Sequence, residues 1–433
     1  MDAHELALDP ASTQALAARD LRLGLVDSAD RDQLAAWHEA DSRGFHDRRP
    51  EQQSTDELRE HSAGRRITGV WDDAIPESEV PVATVSSWVA GLSVPGGSLD
   101  AWAISSVTVA PTHRRRGVAR ALLEGELRTA AAAGVPVAAL TVSEATIYSR
   151  YGFGAATWAA DFTLDTRRAG WVSTIEPSGR LAFVSLQTAE QTCRDVFTRA
   201  WAATPGDMVI DDLHWGSLTG VYGDRDKRSA SLRAVRYDDA DGIPQGVVVY
   251  RLKENHADFT KHTVEVEYLR AATDEAYAAL WRYLIELDLV STLHHGVASP
   301  DEAVLWMIRD LRAATVTPYD HHWLRILDVP TALQARRYAA PLDITFRIDD
   351  PLGFTDGTFR LLVGTDGSGR VERTDASPDL SMAAPALASL YLGGVRTATL
   401  ARAGRVVELV PGAVARWDAA FASAQTPWLS YWY

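Results

Sequence analysis

Apolar and polar positions run through this chain in two rhythms, and the switches between them outline its elements. Residues 28–48 carry helical spacing, with Leu34, Trp37 and Asp41 on related turns and Asp27 and Ser28 as candidate N-caps. Beyond Gly64 the pattern changes to short β-prone runs at 80–90 and 101–109, broken by the turn-rich residues 93–98. Helical spacing returns over residues 114–133 and is stopped by Gly134-Val135-Pro136; residues 137–142 then read as a short apolar strand. Strand, long helix and strand within about 40 residues predict a βαβ-type unit.

A weaker echo follows. Residues 262–269 read as a strand leading into a helix around 274–287, with another apolar segment after His295, so the same unit is expected a second time. From about Asp320, strands at 323–329, 342–348, 358–363 and 369–374 are separated by turns such as Asp356-Gly357 and Asp366-Gly367. An apolar run at 383–391 precedes Gly393-Gly394, and a last helix is expected at about 412–424. The first 20 or so residues read as an extension or an early helix. The final residues, Pro427-Trp428-Leu429-Ser430-Tyr431-Trp432-Tyr433, are aromatic. Chain ends are normally polar and frayed, so this one is expected to be received inside the protein. The alternative is a tail that packs on the surface or in a subunit interface.

Composition narrows the class. At about 150 residues per domain, 433 residues suggest roughly three domains. With 46% of residues apolar and 23% charged, the chain can bury sizeable cores. A net charge of −15 argues against nucleic-acid and anionic-membrane partners, and is compatible with a cationic small molecule. A single cysteine, Cys193, excludes an internal disulfide and any multi-cysteine metal site. The N-terminal residues lack a signal-peptide pattern and no apolar run reaches 18 residues, so a soluble, cytoplasmic protein is expected.

The most informative stretch is Val107 to Arg120. A strand ends, a short turn follows, and a helix opens with Arg114-x-x-Gly117-x-Ala119. Helix N-termini present unpaired N–H groups and partial positive charge, which suits phosphate. Gly117 and Ala119 are small where a ligand must come close, while Val118, Ala121, Leu122 and Gly125 form the core face. Three consecutive arginines oppose the helix dipole, and a bound polyphosphate would offset them.

This strand–turn–R-x-x-G-x-A–helix pattern resembles the GNAT acyltransferases. The string Val-Ala-Pro-Thr-His-Arg-Arg-Arg-Gly at 109–117 is similar to that of the Eis-like amine and aminoglycoside N-acetyltransferases. So are Ser143-Glu144-Ala145-Thr146-Ile147-Tyr148-Ser149-Arg150-Tyr151-Gly152-Phe153-Gly154, Leu324 to Pro330, Ser389 to Gly394 and the aromatic end. The resemblance implies an α/β (α+β) chain. Its parts would be an extension at 1–20, an acetyl-CoA-binding GNAT domain at 21–170, a degenerate GNAT-like domain at 171–319 and a sterol-carrier-like domain at 320–433. It implies that Val107, Thr108 and Val109 pair with the pantetheine arm of acetyl-CoA, and that Arg115, Arg116, Gly117, Val118, Ala119 and Arg120 wrap its pyrophosphate. Ser143 and Glu144 would lie where the next strand splays open. It also implies a homo-hexamer, a primary-amine acceptor and no metal.

Acetyl transfer to an amine needs an uncharged nitrogen, stabilisation of the oxyanion and a proton for the departing thiolate. Tyr148 follows the strand at 137–142 and matches the family's general acid. A phenol near 10 protonating a thiolate near 8.5 is uphill by roughly 2 kcal/mol. Tyr151, three residues on, is the rival, although its Tyr-Gly-Phe-Gly setting suits packing in a turn. The resemblance gives the C-terminal carboxylate, here that of Tyr433, as general base. Asp47 and Phe45, in Phe45-His46-Asp47, match the acceptor pocket, although a solvated helix-end aspartate is the plainer reading. Trp432, beside the terminus, is not acidic, which leaves room for a different substrate range.

Other signals recede. The adjacent pairs His294-His295 and His321-His322 diverge in regular structure, and Cys193 lacks a basic setting. The later unit has Leu269-Arg270-Ala271-Ala272-Thr273-Asp274-Glu275-Ala276 in place of a phosphate loop, without glycine and with acidic residues opening the helix. Acetyl transfer to protein lysines and non-enzymatic lipid or ligand binding by the sterol-carrier-like domain stand as the alternatives.

Overall fold

The computed structural model describes residues 2–62, 64–222 and 229–433. It forms two compact units. The first takes the chain through Thr157, His322–Ala424 and Tyr433; the second takes Trp158–His321 and Gln425–Trp432.

The first unit is built on a seven-stranded sheet. In spatial order its strands are Arg22–Leu25, Arg66–Trp71, Ala83–Val94, Gly97–Val109, Val137–Thr141, His322–Ile326 and Gly154–Ala155. Ala83–Val94 and Gly97–Val109 form a long hairpin closed at Pro95-Gly96, where Gly96 takes φ +71°. The crossover helix Val118–Ala132 buries Val118, Ala121, Leu122 and Gly125, the face its spacing indicated. A Cβ on Gly125 would lie 2.6 Å from Ser12 Oγ, because helix Pro10–Ala17 crosses there and Ser12 bonds the Ala121 carbonyl at 2.6 Å. Glu126 anchors the helix to the sheet: buried, it accepts from Ser87 Oγ at 2.6 Å and Trp102 Nε1 at 3.1 Å and faces Arg66 at 3.4 Å.

Helix Arg31–Gly44 buries Leu34 and Trp37. Its cap is Asp30, which accepts from Asp32 and Gln33 N–H, and not Asp27 or Ser28. A five-stranded sheet, ordered Gly369–Arg373, Gly357–Val363, Leu342–Asp349, Leu380–Ala383, Val406–Glu408, completes this unit with helices Ala384–Leu390 and Ala413–Phe421. The strand His322–Ile326, fully buried, pairs with Val137–Thr141 in the first sheet and not with this one.

The second unit has its own seven-stranded sheet, ordered Ala314–Asp320, Trp158–Asp165, Val290–Ala298, His262–Ala271, Pro244–Lys253, Leu232–Asp238, Arg180–Val184. His262–Ala271 and Val290–Ala298 are parallel and joined by helix Asp274–Ile285, which is the echoed βαβ unit. Thr273 caps that helix through its own side chain, with Asp274 and Glu275 in the first turn. The aromatic tail is received here. Ser430 N–H and Oγ bond Asp207 Oδ1 at 3.1 and 3.0 Å, Trp428 N–H bonds the Pro205 carbonyl at 2.8 Å, and Leu429 and Tyr431 are buried. Trp432 is 43% exposed. Cys193 is fully buried, and burial pushes its thiol up. Among the described residues, no helix is long and apolar enough to cross a membrane.

Candidate active site

The site begins where two parallel strands part. Gly97–Val109 pairs with Val137–Thr141 only at Ala101, Trp102 and Ala103. From Ile104 to Val109 that edge has no strand partner among the described residues. On its other edge the strand stays paired but bulges: Ser106 and Val107 face a single residue, and Ser106 takes φ +56°. Thr84 pins the bulge, its hydroxyl donating to the Ser106 carbonyl at 2.8 Å and lying 2.6 Å from Thr108 Oγ1. A bare edge of N–H and C=O groups can pair with an extended ligand as a strand would.

That edge runs into a loop of unusual backbone. Pro111–His113 form one tight turn, Arg115 takes φ +63° and Gly117 φ +76°. Gly117 is the N-cap of helix Val118–Ala132 and has no side chain to cap it. The first bond is Ala121 N–H to the Gly117 carbonyl, so the N–H groups of Val118, Ala119 and Arg120 carry no acceptor among the described residues. The arginines Arg114, Arg115 and Arg116 therefore precede the helix and do not open it. His113 holds the loop from beneath, its Nε2 3.0 Å from Asp72 Oδ2, with Arg116 Nη1 3.7 Å from the same oxygen. The His113 hydrogen bond holds the Asp72 carboxyl below its usual range. The pairing of Asp72 with His113 leaves no signal in the sequence, because the two meet across 41 residues. Three open N–H groups, a cap position without a Cβ and exposed arginines fit a phosphate-bearing ligand such as the pyrophosphate of acetyl-CoA.

Beyond the parting, Ser143 and Glu144 are exposed, and helix Ala145–Tyr148 buries Tyr148 at its end. The Tyr148 ring stands edge-on to Phe153 at 6.1 Å, and its phenol makes no hydrogen bond among the described residues. Burial, with Glu144 and Tyr151 adding, pushes that phenol up to about 12. Tyr151 is buried in the next turn, where Gly152 takes φ +90° and a Cβ would meet Arg325 Nε at 2.4 Å. Arg325 is itself buried against Asp350 at 2.6 Å.

The terminal residue is held by the parted strand Val137–Thr141 and its neighbour His322–Ile326. Thr141 Oγ1 donates to the Tyr433 terminal oxygen, and His322 Nε2 lies 2.8 Å from the Tyr433 hydroxyl. The Tyr433 ring packs edge-on to Trp88 at 5.4 Å, and Arg65 lies 3.9 Å over the Trp88 ring. Of the two acceptor candidates, Phe45 is 45% exposed and Asp47 is exposed, its N–H bonded to the Ser42 carbonyl at 2.9 Å.

Comparison with known proteins decides the family. Residues 26–156 and 206–326 match models described as acetyltransferase (GNAT) domains, and 329–430 a sterol carrier protein domain. The N-acetyltransferase Eis of Mycobacterium tuberculosis is 35% identical over 366 residues, 82% of this chain and 86% of that protein. This chain belongs to the Eis N-acetyltransferase family. An uncharacterized N-acetyltransferase of Streptomyces avermitilis is 35% identical over 374 residues, 84% of this chain and 89% of that one. The crystal structure of Eis1 from Mycobacterium abscessus superposes with a TM-score of 0.80 at 29% identity, covering 95% of this chain and all of that one. The expected mixed α/β architecture, two GNAT domains followed by a sterol-carrier domain, is the one found. As an Eis-family enzyme the protein is an N-acetyltransferase, and GNAT enzymes draw their acetyl group from acetyl-CoA.

Proposed function

We propose that this enzyme transfers acetyl from acetyl-CoA to a primary amine of a polycationic small molecule, aminoglycosides included. The observation that carries the reading is the unpaired strand edge at 104–109, which leads straight to the uncapped N-terminus of helix Val118–Ala132. Val107, Thr108 and Val109 would hold the pantetheine arm there. Arg115, Arg116 and Arg120, with the backbone of Gly117, Val118 and Ala119, would hold the pyrophosphate, and Ser143 and Glu144 would flank the thioester. The thioester supplies an activated acyl carbon; the remaining work is positioning and proton handling. A net charge of −15 draws polycations to the molecule, and Phe45 and Asp47 would meet the acceptor.

Tyr148 is the proposed general acid. With the phenol near 12, full transfer to a thiolate near 8.5 is uphill by about 5 kcal/mol. The phenol therefore first stabilises the departing sulfur as a hydrogen-bond donor and yields its proton as it is reprotonated. The terminal carboxylate of Tyr433 is the proposed base for a proton of the attacking nitrogen. The hexamer implied by family likeness and a cytoplasmic setting complete the reading. Thiol release from acetyl-CoA, measured with a panel of polyamines, aminoglycosides and a lysine-bearing peptide, tests it. Turnover with the polycations is expected. Release only with the peptide would replace the substrate class, and no release together with no cofactor binding by calorimetry would overturn the reading.

A further inference from the structure

Asp41 sits on helix Arg31–Gly44 where that helix meets the bulge of the parted strand. Gly44, one turn on, packs so closely that a Cβ there would fall 2.4 Å from Thr108 Cβ, and Ser106 lies against the Asp41 carboxylate. Asp41 Oδ1 is buried and accepts no hydrogen bond among the described residues. Arg65 is within electrostatic reach of Asp41 and also stacks on Trp88, whose ring abuts Tyr433. Asp41 thus stands beside two parts of the site, the bulge on which the pantetheine arm would lie and the Arg65–Trp88–Tyr433 stack.

The chemistry asks for such a group. An alkylammonium must lose two protons to become an amide: one before the nitrogen can attack, one after. The terminal carboxylate already accepts the Thr141 hydroxyl, which occupies one of its oxygens. On Asp41 the Ser106 contact leaves Oδ1 without a hydrogen bond among the described residues.

We propose that Asp41 takes the first proton from the acceptor ammonium, leaving the second to the Tyr433 carboxylate. The proposal rests on the acetyl-transfer reading above. The ammonium hands one proton to the Asp41 carboxylate, and the free amine forms its C–N bond at the thioester carbonyl. As the C–S bond breaks, the sulfur takes the Tyr148 proton. The second nitrogen proton passes through the Tyr433 carboxylate and restores the Tyr148 phenol, while Asp41 returns its proton to water. The sum is one amide, one thiol and one released proton.

The surroundings are consistent with this role. Burial raises the Asp41 carboxyl to about 7, opposed by the Ser106 hydrogen bond, increased by Asp47 and lowered again by Arg65. Helix Gln52–His61, packed alongside, turns Asp56 to Arg31 at 2.8 Å and Thr55 to His38 at 3.0 Å. An ordinary aspartate near 3.9 would be a far poorer acceptor for an alkylammonium near 10.4.

The test is kcat/KM against pH for D41N and wild type, using an alkylamine that turns over in the panel. A structural role would change the height of the profile but not its shape. Wild type is expected to rise to a break near pH 7 and then level off. D41N is expected to lose about 10²-fold at pH 7, to keep wild-type acetyl-CoA affinity, and to rise without a break toward the pKa of the amine itself. A D41N profile that keeps the break near 7 would overturn the proposal. Should D41N fail to fold, the wild-type profile decides: a log-linear rise with no break near 7 would equally overturn it. If wild type transfers acetyl to no amine, the acetyl-transfer reading itself fails, which is a different result from normal turnover in D41N.

Discussion

Thr141 and His322 face each other across the first sheet, and both reach the same residue: Thr141 donates to the terminal oxygen of Tyr433 while His322 Nε2 lies 2.8 Å from its hydroxyl. The end of the chain is therefore gripped at both its carboxylate and its ring. Burial raises the Tyr433 phenol well above its usual range, so it stays neutral beside His322. Residues added after Tyr433 would turn the carboxylate that Thr141 bonds into an amide.

Adding two or three residues after Tyr433 should accordingly cut kcat by about 10²-fold or more while leaving acetyl-CoA affinity unchanged. Steady-state kinetics and calorimetry on the extended protein check this. Normal kcat would remove the terminal carboxylate from the mechanism.

Tyr148→Phe removes the proton donor and little else, since the phenol makes no hydrogen bond among the described residues and the ring keeps its contact with Phe153. We expect kcat to fall by about 10²–10³-fold with Tm nearly unchanged. Because the phenol lies near 12, wild-type kcat should show no loss from its ionisation below about pH 10. Tyr151→Phe, in a packed turn, should keep most of the activity. The reverse ranking would move the acid to Tyr151.

Gly117→Ala tests the cradle. A Cβ would meet only Arg19, at 3.4 Å, so space is not the obstacle; the φ of +76° is. Holding a non-glycine residue there costs about 1–3 kcal/mol, or the loop relaxes and the three open N–H groups lose their alignment. Calorimetry should find acetyl-CoA bound at least about tenfold more weakly. Unchanged affinity would mean the loop does not hold the cofactor.

What could be read from the sequence was what is local. The helix Val118–Ala132, its core face and the glycine before it are all written within 20 residues, so these were visible. The starting point was less clear: the arginines carry helical spacing, but Gly117 in the left-handed region places the cap after them. Remote pairing leaves no periodicity. His322–Ile326 looks like the first strand of a third domain, yet its all-buried residues are satisfied only between Val137–Thr141 and Gly154–Ala155. Asp41 shows the same limit at the site. Its helical position was evident, but the bulge at Ser106 that its carboxylate meets exists only in the folded sheet.

The same burial makes Asp41 a cost to the fold, and the sign of that cost can be worked out. Its carboxyl titrates near 7 when folded and near 3.8 when unfolded, so between those values the folded chain binds the extra proton. Stability falls wherever the folded state holds more protons, so this group destabilises the protein progressively as pH rises from about 4 to about 7. Above pH 7 the penalty is full, on the order of a few kcal/mol. Asparagine has nothing to titrate. D41N should therefore melt close to wild type at pH 4 and several degrees higher at pH 8, followed by scanning calorimetry across that range. An enzyme that keeps a carboxylate at the expense of its own stability under working conditions is using it, and the variant should gain Tm at pH 8 as it loses turnover. Equal melting temperatures at both pH values would show that the Asp41 carboxyl is not raised, and would leave it no better a base than any exposed aspartate.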